Sequence, residues 1–400
     1  RRARDKRRPI YGRVNRRYFK KVTRVEKVMP RKNILFKSGR GADYVFLITV
    51  LILVVFGLIM LSSASSDLGK IKFNDSNFYL KRQLMYGLTL GILGFLAAFI
   101  IPYKKWQKLA VPFLIINVIA LALVFTPLGF TTPSGAARWL NLGSVLLQPA
   151  EILKITFIIY LAAWLSKRKE RQTSLLEGFL PFLAIMALVT GMIFMQPATT
   201  IAVVIIAASL IVYFVSGLKL RYVLAFGSFM MIFLAILILS TPYRMERVKN
   251  FLNPQKTNYE SIGYHRTQAL IAIGSGGKFG VGYGNSTNKY SFLPEPIGDS
   301  IFAVISEELG FAGAIFLIML YIVILARGIM IAGKCRDQFG RLVVIGFISI
   351  ITVQAIINIG AISGIFPLTG MPLPFVSYGS NSLAVFLTMA GIIGNISKNT

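Results

Sequence analysis

The sequence predicts an all-α polytopic membrane protein of about ten transmembrane helices, with both termini cytoplasmic and a large extracytoplasmic loop between helices 7 and 8. Three observations carry that expectation. The 400 residues are 55% hydrophobic with a mean hydropathy of +0.67, and only 15% are charged, where soluble domains carry about 25%. The apolar residues come in runs of about 20, enough to cross roughly 30 Å of hydrocarbon as a helix. The charge is lopsided, with 44 Lys and Arg against 15 Asp and Glu, and its placement orients the chain.

The first element is a basic tail. Residues 1–41 hold 17 Lys and Arg against Asp5 and Glu26, and the tail is expected to be disordered and held near anionic lipid on the cytoplasmic side. A nucleic-acid role is the weaker alternative, because the tail has no pattern of stacking aromatics and runs straight into an apolar span. A cleavable signal peptide is not expected, since the first apolar stretch is too long and too far in. Spans then follow near 44–65, 84–101, 109–126, 149–165, 179–196, 199–216, 222–241, 300–326, 342–363 and 376–396. The break between the fifth and sixth is set by Gln196-Pro197, because proline interrupts helical hydrogen bonding. Residues 42–400 thus read as one membrane domain.

Lys and Arg gather on the cytoplasmic side of short loops. With the N-terminus inside, 31 fall on the cytoplasmic face and 12 outside, and Lys154 alone lies within a span. The polar segment 242–299 then faces outwards. At that length it is expected to be functional rather than a passive connection. The single cysteine, Cys335, and the single histidine, His265, exclude an internal disulfide, a cysteine cluster and a multi-histidine metal site, and argue against a serine–histidine triad.

Four stretches could carry chemistry. In RWLNLGSVLLQPAEILK, residues 138–154, Pro149 suits the first turn of a helix and places Glu151 and Lys154 on one face. Two opposite charges inside a span are either an ion pair that fixes packing or the lining of a polar cavity that meets a charged headgroup. Trp139 fits an interface anchor. In FLPEPIGDSIF, residues 292–302, Asp299 stands just before an apolar helix, where it reads either as an N-cap or as a carboxylate at the outer membrane boundary. Glu307 and Glu308 follow about two turns into that helix. The glycines at 274, 276, 277, 280, 282 and 284 suggest a tight re-entrant turn. A nucleotide loop is not credible without a preceding strand or a following GKS or GKT. Last, NIGAISGIFPLTGMPLPFVSYGSNS, residues 358–382, is too rich in proline and glycine to stay helical. Irregular backbone at membrane depth must be buried in protein or line a cavity, so this stretch should fold back into the bundle mouth with Ser377 and Asn381. His265 reads as a loop histidine.

In this order these clusters resemble the RodA/FtsW, or SEDS, family of membrane peptidoglycan polymerases, with softer support from GLIMLSSASS and KRQLMYG near the start. The resemblance spans residues 43–396. It implies an enzyme that joins the disaccharide-peptide units of lipid II into glycan strands at the outer face of the bacterial cytoplasmic membrane, with inversion and release of undecaprenyl pyrophosphate. The family's catalytic aspartate falls on Asp299. Its cavity residues fall on Arg138, Gln148, Glu151, Lys154, Gln268 and Ser377, and Glu295 joins them as a substrate contact. The implied partners are lipid II, a class B penicillin-binding protein as transpeptidase, and other division or elongation proteins, with the FtsW-like branch favoured and no nucleic acid. No cofactor is required by the residues, although a divalent cation, Mg or Mn, could share the work without an all-protein cage. The chain departs from the family wording at Ala137, Ala198, Thr200, Ser380 and Asn381, and at His265, where glutamine is usual. Two other classes remain open: a lipid II flippase, and a non-catalytic scaffold of a wall-synthesis complex.

Overall fold

The computed structural model describes residues 41–131, 137–141, 143, 146–167, 178–196, 198–217, 224–229, 235, 239, 242–252, 262–290 and 292–400. The basic tail, Pro197, the cytoplasmic Arg168, Lys169, Arg171, Lys219 and Arg221, and most of the expected span at 222–241 lie outside the described residues.

Seven described helices are long and apolar enough to cross a membrane: α1 Tyr44–Phe73, α2 Phe78–Ile100, α3 Tyr103–Leu123, α4 Pro149–Lys167, and further along α9 Ile301–Lys334, α10 Gln338–Ile362 and α11 Ser380–Ser397. Two shorter apolar helices, α5 Leu180–Met195 and α6 Thr199–Val215, fill the expected fifth and sixth spans. Asp43 starts α1 by accepting the Phe46 N–H at 3.0 Å. One face of α1 buries Phe46, Val50 and Leu53 while Val45, Ile48, Leu51 and Val55 stay exposed. That pattern suits a helix with protein on one side and lipid on the other. Elements longer than the expected spans, such as α9, extend past the apolar run because helix propensity does not end where hydrocarbon does.

Two features depart from a plain helical bundle. Between α3 and α4 the chain makes a small antiparallel sheet, β1 Gly129–Thr131, β2 Ala137–Asn141 and β3 Leu146–Leu147, with Phe130 opposite Trp139 and Leu140 opposite Leu147. Strands this short leave no usable alternation in the sequence. The segment 242–299 is also more structured than a Gly-rich loop, since it contains α7 Pro242–Leu252 and α8 Ile262–Ser275.

The glycines that follow α8 belong to a break in α9. At Gly310 the helix leaves helical geometry, with φ 65° and ψ −163°, and the 276–282 segment fits into the gap. Val281 and Gly282 donate to the Glu307 and Glu308 carbonyls at 3.0 Å, and Phe311 and Ala312 donate to Gly277 and Lys278 at 2.9 and 3.1 Å. The backbone groups freed by the kink are therefore satisfied by the re-entrant turn. Neither side tolerates a side chain, because a Cβ on Gly310 would lie 2.3 Å from Gly280 N and one on Gly280 2.1 Å from Glu308 O. Beside it, Glu307 gathers the Ser286, Thr287 and Asn288 donors, and Lys289 pairs with Glu308 at 2.9 Å and with Ser63 of α1.

The ends of the bundle are distinguishable. Asp43 N–H donates to Ser397 Oγ at 3.0 Å, and Arg327 grips the Asp43 carboxylate at 3.1 and 2.5 Å. The start of α1, the end of α11 and the far part of α9 therefore share one face. The start of α9 lies roughly 40 Å away along that helix, at about 1.5 Å per residue.

Candidate active site

Asp299 sits at that opposite end, immediately before α9, so the charge bias that places the termini in the cytoplasm places it outside. The turn that carries it is fixed through its backbone. Ser300 Oγ donates to Pro294 O at 2.8 Å, Tyr378 N–H to Ile297 O at 2.9 Å, Ser377 Oγ to Gly298 O at 2.6 Å, and Asn358 Nδ2 to Asp299 O at 2.8 Å. Glu295, exposed on the same turn, adopts the left-handed φ of 48°, a conformation costing a non-glycine residue about 1–2 kcal/mol. Such strain persists only where the surroundings over-determine it.

The side chain is only partly engaged: its carboxyl takes hydrogen bonds from the backbone N–H groups of Asp299 and Ser300. The N-cap position of α9 is Ser300, without a side-chain cap, so the N-cap alternative does not describe Asp299, whose Oδ1 is buried without a hydrogen-bond partner. Burial pushes the Asp299 carboxyl up to about 7, helped by the negative charge of Glu295 and opposed by the Asp299 backbone N–H, by Arg247 and by the Ser300 N–H. A buried carboxyl that titrates near neutrality suits proton transfer.

Arg247, on α7, was not singled out by the sequence. Its Nη1 donates to Leu368 O at 3.0 Å. A Cβ on Gly370, whose φ is 67°, would lie 3.9 Å from Asp299 Oδ2 and 4.0 Å from Arg247 Nη2. The two charged groups thus flank one glycine, whose missing side chain keeps the space between them open. In the sequence Arg247 stands among Arg244, Glu246 and Lys249, and nothing there sets it apart.

Glu151 and Lys154 form a buried ion pair. Lys154 is 0% exposed and its Nζ donates to both Glu151 oxygens, at 2.8 and 2.9 Å, and to Gln354 Oε1 at 2.9 Å. All three ammonium hydrogens are used, so this lysine has none left for a headgroup, and the packing alternative fits the pair. The pair still connects to the site. Gln354 Nε2 donates to Pro372 O at 2.8 Å, and Asn358, one turn later on α10, donates to Met371 O at 2.6 Å as well as to Asp299 O. A polar column therefore runs from the ion pair through Gln354 and Asn358 to the turn of Asp299. Two amides four residues apart in an otherwise apolar span were the available sequence signal for it.

The other expected residues divide. Ser377 Oγ, which also accepts from Leu373 N–H at 2.7 Å, staples two backbone segments. Arg138, on β2, donates to Gln196 O at 3.2 Å at the junction of α5 and α6. Thr200, at the start of α6, donates to Thr369 O at 3.0 Å, which ties that junction to the 363–379 loop. Gln148 precedes α4 and Gln268 lies on α8, both partly buried, and no described contact joins either to Asp299. His265 belongs to α8 rather than to a loop, with its Nε2 2.6 Å from Ser300 Oγ. Among the described residues no three of His, Cys, Asp and Glu are placed to hold a metal ion.

Comparison with known proteins agrees with this architecture. The family model FTSW_RODA_SPOVE, described as "Cell cycle protein", matches residues 43–400. The chain is 38% identical over 366 residues to the probable peptidoglycan glycosyltransferase FtsW of Trichlorobacter lovleyi, covering 91% of this chain and 96% of that one. It is 36% identical over 356 residues to the stage V sporulation protein E of Bacillus subtilis, covering 89% and 97%. Among solved structures it is similar to a chain from work on the structural coordination of polymerization and crosslinking by a peptidoglycan synthase complex, with TM-score 0.75, 28% identity and coverage of 90% and 98%. It is also similar to crystalline Thermus thermophilus rod shape determining protein RodA, with TM-score 0.66, 27% identity and coverage of 90% and 97%. With these matches over nearly all of the described chain, this multi-pass membrane protein belongs to the FtsW/RodA/SpoVE family.

Proposed function

We propose that the protein is a peptidoglycan glycosyltransferase that polymerises lipid II at the outer face of the cytoplasmic membrane, with Asp299 as general base. The observation that carries this reading is the half-buried Asp299 carboxyl on an immobilised turn, its Oδ1 sealed from water without a partner and its titration raised to near neutrality beside Arg247. The acceptor sugar hydroxyl attacks the anomeric carbon of the lipid-linked donor and its proton passes to Asp299. The bond from that carbon to the pyrophosphate breaks, and undecaprenyl pyrophosphate leaves with the electron pair. A pyrophosphate leaving group needs no proton, so one carboxylate suffices where glycosidases use two. Such a base contributes about 10² to 10⁴-fold. Charge developing on the departing oxygens needs a cation, and Arg247 is better placed for that than the fully engaged Lys154. Glu295 raises the basicity of Asp299, while Glu151, Lys154 and Ser377 position the loops around it. Arg138, Gln148 and Gln268 contact the longer parts of the substrate.

Support for the activity comes from the family membership and from relatives whose names state it. By analogy with the synthase complex of the similar structure, a class B penicillin-binding protein is the crosslinking partner, and the predominance of FtsW names among the relatives favours a division role. Residues 42–400 form the membrane domain and 1–41 a cytoplasmic tail. A flippase would place its charged pathway near the midplane with access from both sides, whereas the site residues gather toward one end. The test is polymerisation of labelled lipid II by the detergent-solubilised protein with its partner transpeptidase, where no second compartment exists. Glycan strands are expected. Their absence, with transport of the label in sealed vesicles, would make the protein a transporter, and absence of both would leave a scaffold.

A further inference from the structure

His265 reaches the turn of Asp299 from the outer loop, and the hydrogen atoms around it can be assigned. Ser300 is buried at 0% exposure, and its hydroxyl has one hydrogen to give. That hydrogen goes to Pro294 O at 2.8 Å. With that hydrogen on Pro294 O, both contacts are satisfied together by the Nε2–H tautomer, in which the imidazole donates to the hydroxyl oxygen at 2.6 Å. The helix that delivers the imidazole is itself tied down at the next residue. Arg266 donates to Phe251 O at 3.1 Å and to Gly364 O at 3.3 Å, which fixes α8 against the end of α7 and the 363–379 loop.

From these contacts we propose that His265 is a positioning residue for Asp299, its Nε2–H holding Ser300 and, through Ser300, the 294–299 turn; the inference rests on Asp299 being the proton acceptor. Three of the four backbone staples on that turn come from α10 and from the loop before α11. His265 adds a contact from a further element, α8. It does so as a neutral donor, because burial and the neighbouring Arg247 lower its imidazole to about 4, so the contact does not switch across the working pH range. The charged groups facing Asp299 are Glu295 from its own turn and Arg247 from α7. Helix α10 presents Asn358 and the following loop Ser377, neither of which titrates.

Without the imidazole, water reaches the side of Ser300, the turn loosens, and the desolvation that raises the Asp299 carboxyl is relieved. The expected result for His265→Ala, in the full chain with its transpeptidase, is a fall in kcat for lipid II of about 10 to 100-fold, the range for sub-ångström misplacement of a reacting group. KM should change by less than about threefold. The acid limb of the pH–rate profile should move to lower pH, which a loss of packing alone would not cause. His265→Gln, whose amide N–H can reach Ser300, should restore most of the rate and the profile. Ser300→Ala removes only a hydroxyl and should copy His265→Ala, with the double variant little worse than either. Wild-type kcat with an unmoved acid limb in folded His265→Ala or Ser300→Ala, or a Gln variant as slow as the Ala variant, would overturn the proposal. Asp299→Asn is measured alongside. If it is inactive while the His265 variants are normal, only the positioning role fails, and if it is active the base assignment fails and takes the positioning role with it.

Discussion

At the scale of single residues, the Asp299 carboxyl is half-buried, with one oxygen sealed from water. The folded-state value of about 7 for Asp299 stands above the ordinary 3.8, so the native state keeps a proton that the unfolded chain gives up. Stability from this residue is therefore lost as pH rises from about 4 through 7. Replacing Asp299 by Asn removes that penalty, so the gain in its thermal midpoint over the wild type in detergent should be largest at pH 8 and shrink steadily as the pH falls toward about 4. A difference independent of pH would mean that the carboxyl is not buried as described. Polymerisation should rise with pH to a plateau with a midpoint near 7. Asp299 and Glu295 were legible in the sequence because charged residues at the edge of an apolar span are conspicuous. Arg247 was not, since one arginine among several in a polar helix carries no mark of the carboxylate it will face.

Elements show where local sequence misleads. Glu151 and Lys154 were visible as an i, i+3 pair, but only the fold reveals Gln354 as the third acceptor that leaves Lys154 with no free hydrogen. Lys154→Met strands a buried carboxylate and should cost about 3–5 kcal/mol, read as a lower thermal midpoint, with Glu151→Leu in the same chain recovering part of the loss. No recovery in the double variant would show that the pair does more than balance charge. The kink in α9 was likewise hidden, because one glycine in an apolar run looks tolerable until the 276–282 segment is seated in it. Gly310→Ala must take φ 65° with a Cβ 2.3 Å from Gly280 N, a strain of about 2 kcal/mol or more, and should sharply lower the yield of folded protein. A neutral effect would mean that the turn is not docked there. Helix α8 escaped notice because the adjoining glycines dominated the reading of the whole segment.

For the whole molecule, composition and charge distribution were enough for class and orientation, since hydrocarbon thickness and the Lys/Arg bias act on the entire chain. They could not supply the contacts that bring Asp43, Arg327 and Ser397 to one face, nor the gathering of α7, α8, α9 and α10 around Asp299, because those depend on which helices are neighbours. Apolar residues facing lipid and facing helices look alike in sequence. The orientation is testable in intact cells. In a Cys335→Ser background, a cysteine at the exposed Glu295 should react with a membrane-impermeant maleimide added outside, whereas the native Cys335 should react only after permeabilisation. The reverse pattern would invert the bundle and remove Asp299 from the outer leaflet.

The most direct measurement is the initial rate of glycan-strand formation from labelled lipid II by the wild type and Asp299→Asn, each with its transpeptidase and each confirmed as folded. With Asp299 as the base, the variant should be slower by at least about 10²-fold with substrate still bound. Equal rates from the two proteins would contradict it.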